Sequence, residues 1–266
     1  MKIFSEEFDK FKGMLEGGVN FAFTRFSDGE LFIMQNKEVQ LAEQHFITGD
    51  TQGFGIYPPE EQKHFVPEEH AFYKDKLVEA FQYKHESYYI GLSSRKDVGD
   101  EDFEWQLDLR GSKDETKLTF ANVLINNNYK RYVTEVVPMF NDRDILFVAN
   151  ERADFSRLPF KRNIRKDFRI GSNCMINDYG KVEEVKSYIE DNNIEDHIIL
   201  CGAASLSNYI THECFKDNQR NTFLDIGSTL NPLLGKGMNG WVHTRGYLTS
   251  FWLNSGDRYG TQIDEW

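Results

Sequence analysis

From residue 20 to 26 (NFAFTRF) apolar and polar side chains alternate, which predicts a short strand. The pattern breaks at Ser27-Asp28-Gly29-Glu30 before LFIM opens a helix. A polar tetrad is thus expected at a strand-to-helix junction. Residues 46–59 read as loop, and an amphipathic helix is expected from about Pro67, with Ala71, Val78 and Phe81 facing inward. SYYIGLSS (87–94) reads as a second strand, followed by a charged loop over 98–114. Leu118, Ala121, Ile125, Tyr132 and Val136 recur at helical spacing, which predicts a long helix ending near Pro138.

The second half is more regular. Four short apolar runs, at 144–150, 167–171, 197–202 and 222–227, read as strands, and helical patterns at 181–192 and 205–215 fill the last two gaps. Such alternation implies parallel strands joined by crossovers, with ligands at their carboxyl ends. The expectation is an α/β protein with a Rossmann-like, mostly parallel sheet flanked by helices. It is read as a single compact unit over 1–266, with the tetrad in the half 1–140 and the nucleotide-type topology in 141–266.

Composition narrows the partners. The chain has 266 residues, 39% of them apolar, enough for a packed core. Lys and Arg number 31 against 43 Asp and Glu, a formal charge of −12 that repels a nucleic-acid backbone, so no nucleic-acid partner is expected. A small phosphorylated ligand stays compatible, because a bound cation and a few local basic groups reverse the field inside one pocket. Cys174, Cys201 and Cys214 are irregularly spaced and read as reduced, buried thiols. Residues 1–18 carry charges every few positions, and no apolar run approaches the ~20 residues of a membrane span. The expectation is an intracellular, cytoplasmic soluble protein without a transmembrane segment.

Asp28 and Glu30 flank a glycine, and on a turn two such carboxylates can grip one hard cation, magnesium or manganese, leaving positions for phosphate oxygens. The same Ser27-Asp28-Gly29-Glu30 also spells a capping box, in which Glu30 bonds back to its helix start. Arg25 beside the tetrad offers a guanidinium to a phosphate or a carboxylate. Gly202, Ala203, Ala204 and Ser205 lie between a strand and a helix, where free backbone N–H groups can hold a phosphate, although small residues also serve packing there. Asp225, ending the last strand in LDIGS, can bond a ribose or sugar hydroxyl, or simply shape a turn. Ser93 and Ser94 admit the same two readings. The tail 235–252 combines glycines with Trp241, His243, Arg245, Tyr247 and Trp252, a composition suited to stacking on sugar rings.

FTRFSDGE resembles the RFGDGE opening of the bacterial glycosyltransferases that define the GT-D fold. DILFVANERADFSRL and IILCGAASLSNYITHECFKDNQRNTFLDIG resemble two further segments of that family, in the same order, and together the matches span most of the chain. There are departures: Ser27 stands where glycine is usual, the GPTA turn reads Gly202-Ala203-Ala204-Ser205, and Ser228 replaces a common histidine. The resemblance implies a D-x-E motif, Asp28 and Glu30, binding Mn2+ or Mg2+ that holds a donor diphosphate, with the 202–205 turn lining the same pocket.

The resulting expectation is a metal-dependent glycosyltransferase that moves a sugar from a nucleotide-sugar donor, a UDP-sugar favoured, to a glycan, glycoprotein or other hydroxyl acceptor. Arg25, Ser27, Ser94, Gly202, Ala203, Ala204, Ser205, Asp225 and Ser228 are its candidate donor contacts. Trp241, Arg245 and Tyr247 are the candidate acceptor contacts, on composition alone, and Asp225 or His243 the candidate base. Two alternatives stay open. One is another Rossmann-type enzyme, a methyltransferase or dehydrogenase, with Gly202 facing a cofactor and Asp225 its ribose. The other is a non-catalytic nucleotide- or glycan-binding module.

Overall fold

The alternating stretch near the N-terminus forms β1 (Ala22–Phe26), and this strand sits near the middle of the main sheet. A computed structural model describes residues 2–42, 45–48, 51–52, 62–111 and 116–235. On one side of β1 lie β6 (Tyr88–Leu92) and β7 (Leu118–Phe120). On the other lie β11 (Thr222–Asp225), β10 (Ile198–Cys201), β8 (Ile145–Asn150) and the edge strand β9 (Ile164–Ile170). All six pairings in this seven-stranded sheet are parallel. Strands from both halves of the sequence share one sheet, because β1 pairs with β6 on one edge and β11 on the other.

The unbroken apolar runs follow from burial on both sides. Every residue of β6, β10 and β11 is buried. One face is covered by α2 (Asp28–Met34), α3 (Ala71–Gln82), α7 (Lys181–Asp191) and α8 (Leu206–Asp217), through Ile33, Leu77, Phe81, Val185, Ile189 and Ile210. The other is covered by α1 (Phe4–Glu16) and the turns around 126–141, through Phe8, Phe11, Tyr129, Tyr132 and Phe140. The three cysteines are free and buried, as their spacing suggested. Among the described residues no helix is long and apolar enough to cross a membrane.

Four local expectations need correction. The stretch read as a charged loop, 98–114, is mostly α4 (Arg95–Arg110), kinked at Gly99 with φ 82°. Its inward face is Phe103, Gln106, Leu107 and Arg110, so half of the stripe is polar and the apolar period is masked. Those polar members are satisfied: Gln106 bonds both the N–H and the carbonyl of Ser93, and Arg110 donates to the carbonyls of Phe81 and Tyr83. The long helix expected over 118–138 is instead β7 followed by short turns, α5 (Tyr129–Arg131) and a widened turn at Tyr132–Val136. Pairing of Leu118–Phe120 with β6 overrides the helical period, and Asn126, at φ 54°, breaks the chain direction.

The helix expected from Pro67 starts at Ala71, which is exposed; Leu77, Ala80 and Phe81 face the core. Within the region read as loop, β3 (His45–Thr48) and β4 (Thr51–Gln52) join β2 (Val39–Ala42) and β5 (Lys63–Phe65) in a small antiparallel sheet.

Chain direction matters for the site. From β8 the chain runs out to β9, whereas from β10 it runs inward to β11, so the order reverses between β8 and β10 and opens a crevice at their carboxyl ends.

Gly91, in β6, packs against the turn after β7, where an added Cβ would stand 2.7 Å from the Ala121 Cα. Gly91→Ala is expected to destabilise the fold by roughly 1–3 kcal/mol through backbone overpacking, read as a lower urea midpoint with an unchanged slope.

Candidate active site

Parallel strands place all their carboxyl ends on one edge, and a cleft of about 230 Å³ lies there, against the roughly 10–15 Å³ one water needs. Its lining comes from Arg25 in β1 and Ser27 to Glu30 beyond it, Asn150 at the end of β8, Gly202 to Ala204 after β10, Asp225 at the end of β11, and Gly227, Ser228 and Asn231 beyond it. Ile170 to Met175, following β9, and Leu41, Gln62 and Lys63 complete it.

Asp225 is 4% exposed and braces the centre. Its Oδ2 accepts from the Arg25 N–H at 3.1 Å and its Oδ1 from the Gly227 N–H at 3.0 Å, joining the end of β1 to the turn after β11. Burial pushes its pKa up to about 7, with the nearby Glu30 charge adding to the rise and Arg25 and the two backbone bonds opposing it.

The Arg25 guanidinium is held from behind: Nε donates to the Ala121 carbonyl at 2.5 Å. Its Nη1 occupies the space beside Gly227, where an added Cβ would stand 1.9 Å away, and Gly227 itself has φ 50°. Glycine takes this φ without strain and leaves the guanidinium its place; a larger side chain would displace it. Neither Nη makes a hydrogen bond to a described residue, so the fork of this arginine stays available at the cleft.

The turn after β10 holds a second set of donors. Gly202 N–H bonds the Val148 carbonyl and Ala203 N–H bonds Ser207 Oγ. Ala204 adopts a left-handed φ of 46°, and the N–H groups of Ala204 and Ser205 find no acceptor among the described residues. They open the twelve-residue helix α8, whose dipole favours an anion at that end. Asn208, one turn further, donates to Thr24 Oγ1 and the Arg25 carbonyl and locks α8 to β1.

Glu30 takes the capping role that its spacing allowed. One carboxylate oxygen accepts from the Ser27 N–H at 3.1 Å and the other from Ser205 Oγ at 2.5 Å. Asp28 differs: it is exposed, and its Oδ1 accepts only from the adjacent Gly29 N–H. The two are the first and third residues of α2, and side chains two apart on a helix do not face each other. As arranged, Asp28 offers a hard oxygen to a divalent cation, and each Glu30 oxygen already accepts one protein hydrogen bond.

Of the remaining candidates, Ser228 lines the cleft, whereas Ser94 caps α4 and is not part of the lining. Trp241, His243, Arg245, Tyr247 and Trp252 lie outside the described residues. Sequence reasoning missed the far wall. There Asn173, at φ 51°, donates its N–H to the Gln62 carbonyl and accepts the His64 N–H on its side-chain oxygen, which docks the small sheet against the cleft. The DFRIGSN string, a strand running into Gly-Ser-Asn, was the available signal. Cys174 beside it donates to the Ala203 carbonyl, and burial pushes its thiol up to about 12, so it stays protonated.

Two solved structures of the domain of unknown function 1792, one described as having a distinct glycosyltransferase fold, superpose on this chain with TM-scores of 0.51. They are 12% and 11% identical to it, covering 84% and 83% of this chain and 75% and 74% of theirs. No family model and no curated protein sequence matches. The fold is thus an α/β, glycosyltransferase-like fold with a mostly parallel sheet flanked by helices.

Because the folded protein holds the Asp225 proton more tightly than the unfolded chain, this group's contribution is full below about pH 4 and is lost as pH rises through about 7. Asp225→Asn carries a constant penalty for placing one amide donor against backbone N–H groups. The wild type is expected to lose stability relative to this variant between those pH values, by on the order of a few kcal/mol, in urea titrations across that range.

Proposed function

We propose that the chain is a nucleotide-sugar-dependent glycosyltransferase whose cleft at the sheet's carboxyl edge takes the donor diphosphate. The observation that carries this reading is the pairing, on a glycosyltransferase-like fold, of the available Arg25 fork with the acceptor-free N–H groups of Ala204 and Ser205. In an acidic protein these are the groups suited to an anion at that edge.

In this reading the leaving nucleoside diphosphate gains charge as the bond from its oxygen to the anomeric carbon breaks. Arg25 and the α8 N-terminus stabilise that charge from fixed positions. An acceptor hydroxyl oxygen forms the new bond to the anomeric carbon, and its proton passes to a base. Asp225 is the candidate among the described residues, since a carboxylate with a pKa near 7 is matched to proton transfer at neutral pH. A divalent cation, held by Asp28, would neutralise part of the diphosphate charge. Glu30 serves the site by holding Ser205, and with it the donor turn, against the start of α2.

The two acidic residues therefore have separable roles. Glu30→Ala leaves the Ser27 N–H and Ser205 hydroxyl without their acceptor and is expected to cost roughly 1–3 kcal/mol of stability without any ligand. Asp28→Ala is expected to change ligand-free stability by less than about 0.5 kcal/mol. It should nevertheless abolish the extra thermal stabilisation that Mn2+ adds to UDP or a UDP-sugar. Equal metal-dependent shifts in wild type and Asp28→Ala would remove the cation from this carboxylate, and absence of nucleoside diphosphate release with any nucleotide sugar would leave a binding module in place of an enzyme.

A further inference from the structure

The charge of the chain is unevenly spread. Residues 152–169 contain seven Lys and Arg against two acidic residues, in a chain where acidic residues outnumber basic ones 43 to 31. This segment comprises the connector after β8, with short turns at Phe155–Arg157 and Lys161–Asn163, and most of the edge strand β9.

Arg157, Lys161, Arg162 and Arg165 are exposed. Arg165 pairs with Asp144, but Arg157, Lys161 and Arg162 have no carboxylate partner among the described residues. Lys166 spends its charge on the rings of Phe168 and Tyr188. The connector is firmly seated: Leu158 and Phe160 are buried, and the Asp154 N–H bonds the Leu234 carbonyl at 2.8 Å. The unpaired charges are therefore held by a rigid scaffold.

We infer that this segment docks the protein on a bilayer bearing anionic headgroups. None of Arg157, Lys161, Arg162 and Arg165 lines the cleft, so their partner is not a small ligand in a concavity. Three unneutralised cations on an outer connector beside the sheet edge match an extended anionic surface, and elsewhere the net acidity of the chain is repelled by it, which fixes one orientation. The orientation also has a consequence for the cleft. Asn150, which lines it, immediately precedes the segment, and Arg157 donates to the carbonyl of Gly235, which follows α9 (Asn231–Leu234), whose Asn231 lines it too. Docking would bring the cleft beside the lipid surface, where a lipid-borne acceptor is within reach. The inference goes beyond the proposed activity, and only the statement about the acceptor rests on it.

The test is co-sedimentation of the full chain with phosphatidylcholine vesicles and with vesicles containing phosphatidylglycerol. The expected result is binding to the anionic vesicles alone, weakening as salt is raised. Arg157→Glu/Lys161→Glu/Arg162→Glu should lower the partition coefficient on the order of a hundredfold or more. Lys37→Glu/Lys130→Glu/Arg220→Glu, the same charge change at exposed positions elsewhere, should lower it far less. Circular dichroism of both variants checks that they are folded. Asp28→Ala should sediment as wild type does, which separates this test from that of the cation. Failure of the wild type to sediment, equal binding to both vesicle types, or equal losses in the two triple variants would overturn the inference, as would retention by a soluble anionic polymer without vesicle binding.

Discussion

The Glu30 carboxylate holds together two chain segments that lie 175 residues apart, accepting from the Ser27 N–H on one side and the Ser205 hydroxyl on the other. At 8% exposure this carboxylate depends on both donors, since a buried charge without hydrogen bonds is costly. The bridge sets the start of α2 against the start of α8. Asp28, Ala204 and Arg25 line the cleft, and the buried Ser205 lies directly behind Ala204, where those two helix starts are joined. Asp225 repeats the device one strand over, binding the end of β1 to the turn after β11 through two backbone N–H groups.

Topology supplies what these local bonds refine. A parallel sheet gathers every strand end onto one edge, and the reversal of chain direction between β8 and β10 keeps the crossovers from filling it. Charge then becomes local. The whole chain is acidic, yet the described cleft has an arginine anchored from behind by a carbonyl and a helix N-terminus with two donors free. An anion meets fixed dipoles there, where the surrounding net charge matters little.

The central strands were legible because burial on both faces leaves continuous apolar runs, and β8, β10 and β11 lie where those runs predicted them. The junction at 27–30 and the turn at 202–205 were legible as strand-to-helix punctuation. α4 was not, because Gln106 and Arg110 occupy its inward face and find their partners in backbone groups far along the chain. Nor was β7, whose helical period was overridden by pairing with β6. The spacing of Asp28 and Glu30 was compatible with a chelate and with a cap. In the structure Glu30 caps its own helix and also meets Ser205, a partner that no local pattern discloses. The far wall, from Gly171 to Met175 with Gln62 and Lys63, was hidden for the same reason: it is assembled by the docking of the small sheet onto Asn173.

Hydrogen–deuterium exchange of the full chain, with and without UDP and Mn2+, tests the assignment of the cleft most directly. The Ala204 and Ser205 amides have no acceptor among the described residues, so a diphosphate bound at the start of α8 should slow their exchange together with that of residues 25–30. Unchanged exchange at 203–206, with protection appearing elsewhere in the chain, would contradict the account.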